Sequence, residues 1–378
     1  WGSIMEYNIQ TEKGMINRGN WGRIKRCMQR AKRGENIITG FLGGSITQGS
    51  LSSSPKTCYA YLVYKWWTEK FPDTEITFIN AGIGGTTSQF GVSRVEDHLL
   101  KYKPDFALIE FAVNDENTEF FEETYEGLIR KAYADSCKPA VLLMNNVMYD
   151  TGVNAEEMHL KVAKNYDLPM VSMKSTIYPE IQAGNIKAPE ITPDNLHPND
   201  AGHALVAKVI TDFLEKIYQD LDEEEIPAFE DGSLPAPITA NAYENSVRYQ
   251  NDNAEPELCG FTADLQPQEN IRDIFRKGWT AEKVGDKITF TIPCSGIAIQ
   301  YRKSVKQPTS IAKVVVDGRV EEAMLLDGNF KEDWGDCLYI DTVTRHMPYA
   351  KHKVEISIVE AHDNDVVPFY LVSVIGSN

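Results

Sequence analysis

The chain has 378 residues, 42% of them apolar and 25% charged, which suits about two globular domains with ordinary cores. Its formal charge of −17, from 38 basic against 55 acidic residues, excludes a surface built to wrap a polyanion. The longest apolar runs, such as 140–144, are strand-sized and fall short of the roughly 18 residues a membrane-spanning helix needs, so neither nucleic acid nor a membrane is an expected partner.

Trp1-Gly2-Ser3 reads as an expression scar ahead of a start at Met5. Residues 18–33 carry Arg18, Arg23, Lys25, Arg26, Arg30, Lys32 and Arg33, with Trp21, Ile24, Met28 and Ala31 at helical spacing. That pattern predicts an amphipathic surface helix with a solvated basic face. Strands are expected at 36–42, 75–81, 105–113, 140–145 and 169–173. Helices are expected between them at 57–70, 87–101, 118–134 and 155–166, and a last one at 200–218. Strands apolar throughout and alternating with helices predict an α/β fold, a parallel sheet between two helical layers.

Residues 220–231 hold seven acids and no base, and with the prolines up to Pro237 they read as a linker. Beyond it, seven short strand-like runs are divided by turn signals such as Asp317-Gly318 and Asp327-Gly328. They predict an antiparallel β-sandwich of about seven or eight strands. The expected division is therefore a first domain at 1–219, an acidic linker at 220–237 and a sandwich at 238–378. The six cysteines are widely spaced with no CxxC pair, which fits reduced thiols in a cytoplasmic protein better than disulfides or a zinc site.

Four segments of the first domain carry side chains suited to chemistry. Gly43-Gly44-Ser45-Ile46-Thr47 follows the first strand and Asn80-Ala81-Gly82-Ile83-Gly84-Gly85 ends the second. Ala112-Val113-Asn114-Asp115 ends the third, and Asp194-Asn195-Leu196-His197-Pro198 precedes the last helix. In open parallel sheets, active groups gather at the carboxyl ends of strands. An aspartate three residues before a histidine can orient the ring for a nucleophile, and backbone N–H groups or an asparagine amide can hold an oxyanion. Each segment alone reads equally well as a helix cap or a tight turn. Gly44 to Gly49 lacks the lysine of a phosphate loop, and Thr87 stands where a dinucleotide fingerprint needs glycine. His159 is expected to be solvated on a polar helix and His203 to pack or cap the last one.

Taken in this order, the four segments resemble the blocks of the SGNH (GDSL-like) hydrolases, over residues 37–210 or so. The resemblance implies Ser45 as nucleophile, His197 as general base and acid, Asp194 as its orienter, and an oxyanion hole of the Ser45 and Gly85 N–H groups with the Asn114 amide. It implies no metal and no cofactor. Gly44 stands where many members have aspartate, and Ala112 where glycine is usual. With a following jelly-roll sandwich like carbohydrate-binding modules, the chain resembles bacterial carbohydrate acetylesterases, in particular acetyl-mannan esterases of carbohydrate esterase family 17. The implied substrate is an acetylated manno-oligosaccharide. Alternatives are an esterase or thioesterase acting on a non-carbohydrate acyl group, and an inactive sugar-binding protein. In the sandwich, Trp279 and Trp334 sit among polar residues and are the candidates for stacking on a sugar, with plugging of the fold as the equal alternative.

Overall fold

The computed structural model describes residues 6–378; Trp1 to Met5, with the expected scar and start, lie outside the described residues. Two units emerge, Trp1–Asn241 and Ala242–Asn378. In chain order the first holds β1 (Met15–Asn17), α1 (Gly22–Lys32), β2 (Ile37–Gly43), α2 (Ser45–Gln48), α3 (Tyr59–Lys70) and β3 (Ile76–Gly82). Next come α4 (Ser88–His98), β4 (Phe106–Glu110), α5 (Glu119–Tyr133), β5 (Ala140–Asn145) and α6 (Glu156–Asn165). It closes with β6 (Met170–Ser172), α7 (Ile177–Gln182), α8 (Ala188–Ile191) and α9 (Asp200–Gln219).

The α/β architecture is as expected. Five strands pair in parallel in the order β6-β5-β4-β2-β3, and β1 adds antiparallel to the β6 edge. Every residue of β4 and β5 is buried, which is why these runs show no alternation: both faces are covered. The third strand stops earlier than its apolar run. The chain turns after Glu110, and the Asn114 and Asp115 N–H groups both donate to the Phe111 carbonyl (3.2 and 2.9 Å). Thr118 caps α5 through the Phe121 N–H, and Asn199 caps α9 through the Gly202 N–H at 3.0 Å.

The acidic stretch is not a free linker: it pairs with part of the basic stretch 18–33, in which Arg18, Arg26, Lys32 and Arg33 stay exposed. Lys25 meets Asp220 at 3.0 Å, Arg18 meets Glu225 at 2.8 Å, and Arg23 and Arg26 both meet Glu230 at 3.0 Å. Further along, the Ile238 and Thr239 N–H groups donate to the buried Glu126 of α5. Residues 220–241 therefore form a strap on the first unit, and the unit boundary falls after Asn241.

The second unit is antiparallel throughout its paired strands. It begins with β7 (Val247–Tyr249), β8 (Glu257–Cys259), β9 (Thr262–Ala263), β10 (Trp279–Ala281), β11 (Lys287–Cys294) and β12 (Gly296–Lys303). It ends with β13 (Ile311–Val316), β14 (Met324–Asp327), β15 (Cys337–Thr344), β16 (Ala350–Glu360) and β17 (Phe369–Ser377). One sheet runs β15-β12-β17-β10-β9 with β7 on β17, and the other β14-β13-β16-β11-β8. The sequence count was short because β7, β8, β9 and β10 have three residues or fewer, too few to show a period. Asp317-Gly318 turns as expected, both residues at positive φ.

Candidate active site

Ser45 opens α2 immediately beyond β2, the central member of the trio β4-β2-β3. The turn into it demands glycine. A Cβ on Gly43 would stand 2.2 Å from Thr47 Oγ1 and 2.8 Å from the Glu110 carbonyl oxygen. A Cβ on Gly44 would stand 2.3 Å from Asn114 Oδ1, so the glycine that replaces the usual aspartate makes room for the asparagine amide.

The four segments singled out in the sequence come together. Ser45 Oγ lies 2.8 Å from His197 Nε2, and His197 Nδ1 lies 2.6 Å from Asp194 Oδ2. With Nδ1–H donating to the carboxylate, the Nε2 lone pair faces the serine hydroxyl. The second oxygen of Asp194 accepts from the His197 N–H (2.7 Å) and the Leu196 N–H (3.0 Å). Partial burial opposes the Asp194 charge, but these bonds from His197 and Leu196 prevail and hold its carboxyl below the usual aspartate range. Asn195 takes a left-handed conformation (φ 64°), which folds the tetrapeptide back so that acid and base meet.

The opposite side of Ser45 is lined by segments after β3 and β4. A Cβ on Gly84 would lie 3.4 Å from Ser45 Cβ, which places this loop against Ser45. The Ile83 N–H donates to the Gly43 carbonyl and the Gly84 N–H to Gln48 Oε1 (2.7 Å), whereas the Gly85 N–H has no acceptor among the described residues. Gly85 itself sits at φ 71° and is exposed. Asn114 Oδ1 is buried without a partner, and no described residue bonds its Nδ2. Uncommitted donors on the loops after β3 and β4 suit the holding of an oxyanion. Ala112 fits without strain: it is fully buried, and its N–H and C=O bond to Glu110 Oε1 and the Ala155 N–H (both 2.7 Å).

Several supports of the site escaped the sequence reading. Arg94 of α4 is buried and reaches the carbonyls of Gly43 (3.0 Å) and Ala81 (2.7 Å), stitching the ends of β2 and β3. Asp200 accepts from the Ser53 N–H (2.8 Å) and the Thr57 hydroxyl (2.9 Å), and so pins the serine-rich loop beyond α2. His203 clasps that loop too, accepting the Tyr59 N–H at Nδ1 (3.0 Å) and reaching the Ser50 carbonyl through Nε2 (3.2 Å). His159 is not solvated: it is fully buried, its ring stacked on Tyr125 at 3.6 Å, because it lies on the inward face of α6 with Val162 and Ala163 and meets Asp115. Glu157, Lys161 and Lys164 take the solvent face. A buried arginine or histidine on a helix gives no periodic signal, which is why these residues stayed hidden.

In the sandwich the two candidate tryptophans part company. Trp279 is 1% exposed and packs edge-on against Phe290 in the core, so its ring has no free face for a sugar and the stacking expectation fails for it. Trp334 is 61% exposed on the turn between β14 and β15, beside Phe330, with its Nε1–H donating to Glu332. No helix among the described residues is long and apolar enough to cross a membrane.

Comparison with known proteins agrees with this geometry. The profile of the GDSL-like Lipase/Acylhydrolase family matches residues 41–205. A solved two-domain esterase active on acetylated mannans, co-crystallised with mannopentaose, is 56% identical, with a TM-score of 0.94 over 98% of this chain and 99% of its own. A second solved structure of a two-domain esterase active on acetylated mannans, also 56% identical, gives a TM-score of 0.95. An arylesterase of Vibrio mimicus is 25% identical over 209 residues, 50% of this chain and 94% of that protein. Thioesterase 1/protease 1/lysophospholipase L1 of Escherichia coli K12 is 25% identical over 176 residues, 44% of this chain and 77% of the other.

Proposed function

The chain belongs to the GDSL-like lipase/acylhydrolase family, and from that premise we propose that it is a carbohydrate acetylesterase that removes O-acetyl groups from manno-oligosaccharides. One observation carries the chemistry: the unbroken chain Ser45 Oγ to His197 Nε2 to Asp194 at the carboxyl end of a parallel sheet. The two-domain esterase at 56% identity, active on acetylated mannans, supports the substrate class.

His197 Nε2 takes the Ser45 proton as Oγ attacks the acetyl carbonyl. The oxyanion that forms is held by the Ser45 and Gly85 N–H groups and the Asn114 amide. The tetrahedral adduct collapses, the sugar oxygen leaves with the proton from His197, and acetyl-serine remains. Water, deprotonated by the same ring, then releases acetate and restores Ser45. Throughout, Asp194 fixes the ring and balances its transient charge.

Two features support a small acyl group. The loop after α2 presents Ser50, Ser52, Ser53 and Ser54, and Asp200 holds it in place. Acetyl esters should therefore be hydrolysed faster than butyryl esters, and octanoyl esters and acyl-CoA hardly at all. Faster turnover of octanoyl than acetyl esters would move the activity to a lipase-like or thioesterase class. No turnover of any ester would leave a sugar-binding protein. Six free cysteines among the described residues support a reducing, cytoplasmic setting, and the bacterial relatives support a bacterial source.

The sandwich acts in this reading as a carbohydrate-binding module, with Trp334 as its stacking face. Trp334→Ala should slow turnover of acetylated manno-oligosaccharides about tenfold, or 1–2 kcal/mol, and leave p-nitrophenyl acetate nearly unchanged. Equal loss on both substrates would make Trp334 a packing residue.

A further inference from the structure

The oxyanion donors of the proposed site come from strands that do not touch. Gly85 follows β3 and Asn114 follows β4, while β2, with Ser45 at its end, lies between them. Strand pairing aligns each with β2, but the loops beyond the strand ends need another tie, because donors act only when held to within about 0.5 Å.

A buried acid supplies that tie. Asp115, next to Asn114, has a fully enclosed side chain. Its Oδ1 accepts the Ser88 N–H at 2.8 Å, and its Oδ2 accepts the Ser88 hydroxyl at 2.6 Å. Ser88 is the first residue of α4, three beyond Gly85, and its Oγ also meets Thr124 Oγ1 of α5 at 2.7 Å. His159 of α6 points Nε2 at Asp115 Oδ2, 3.0 Å away, and its stacking on Tyr125 fixes the ring plane. One carboxylate thus joins the Asn114 turn, the segment just after Gly85, and helices α5 and α6. Enclosing a carboxylate is costly unless it is fully hydrogen-bonded, and these partners meet that demand.

Building on the proposed esterase mechanism, we propose that Asp115, oriented by His159, is a positioning residue that sets the spacing between the Gly85 N–H and the Asn114 amide across the nucleophile. It touches no substrate and moves no proton. Its effect appears only in the transition state, because ground-state binding of the ester does not need the two donors in register.

The test is a cycle of Asp115→Ala, Asn114→Ala and the double variant, read on p-nitrophenyl acetate with thermal melts as a control. Asp115→Ala should lower kcat by about ten- to a hundredfold with KM within about twofold, and should cost far less when Asn114 is already Ala. Should Asp115→Ala not fold, Ser88→Ala, which removes one bond to the same oxygen, should give about a fivefold kcat loss that also vanishes in the Asn114→Ala background. Parental kcat in a folded Asp115→Ala, or losses that simply multiply in the double variant, would overturn the proposal and leave the esterase reading intact. If Asn114→Ala itself keeps full kcat, the oxyanion assignment fails first, and this inference with it.

Discussion

On the base side of Ser45, Asp194 and His197 lie three residues apart, and the bonds that fix them, at 2.6, 2.7 and 3.0 Å, close within one turn of chain. On the proposed oxyanion side, Gly85 and Asn114 follow strands on either flank of β2, with support from α4, α5 and α6. A locally closed device works or fails as a unit. A device assembled by tertiary contacts can lose efficiency by degrees, as each support shifts a donor slightly. Substitutions on the two sides should therefore differ in size and in how they combine.

The largest effects belong to the base side and the serine it serves. Ser45→Ala or His197→Ala should each lower kcat by about 10⁴- to 10⁶-fold, and the double variant should be hardly worse than either. Multiplying losses in the double variant, or an active Ser45→Ala, would break the unit. Next comes the oxyanion side: Asn114→Ala should cost about 10²- to 10³-fold in kcat with KM within a few-fold, and an effect confined to KM would make Asn114 a sugar ligand. A smaller loss, about tenfold, is expected for Gly44→Ala, whose methyl would displace the Asn114 amide, and it should disappear in Asn114→Ala. Persistence of the loss there would place the strain in the Ser45 turn instead.

The last effect is read in stability rather than in rate. Burial drives the Glu110 carboxyl from 4.5 up to about 7, against the bonds it accepts from the Ala112 and Asn146 N–H groups. Between those pH values the folded chain holds a proton that the unfolded chain has released, so the contribution is full below 4.5 and is lost as pH rises through 7. Glu110→Gln has no such loss. Melting measured at pH 5 and pH 8 should show the variant gaining on the parent at the higher pH by up to about 3 kcal/mol. Parallel pH curves would mean that Glu110 titrates normally.

This contrast also decides what was readable beforehand. Asp194-x-x-His197 and Gly43-Gly44-Ser45 were visible because each device sits within five residues. Asn114 and Gly85 were placed by resemblance alone, since nothing local marks an amide that must lie against Gly44. Asp115, Arg94 and His159 had no signal, because their partners are fixed only once β3, β2 and β4 line up. At the scale of the fold, long apolar strands such as β4 and β5 were legible, while the three-residue β1 and the short sandwich strands were not. The acidic stretch was noticed and misread: charge shows in a sequence, but the partner that neutralises it does not.

That strap has a consequence for life in a crowded cell. The cations of α1, bare, would collect RNA and anionic lipid headgroups by counterion release. Glu225, Glu230 and Asp220 are tethered to the same chain, so they face those cations at an effective concentration in the millimolar range, which a dilute competitor does not match. The tethered acids thus compete with any free polyanion for these cations. Because the Arg18 and Arg26 pairs are exposed on the cation side and weaken with ionic strength, that competition is strongest at low salt, where stray polyanions would also bind most tightly.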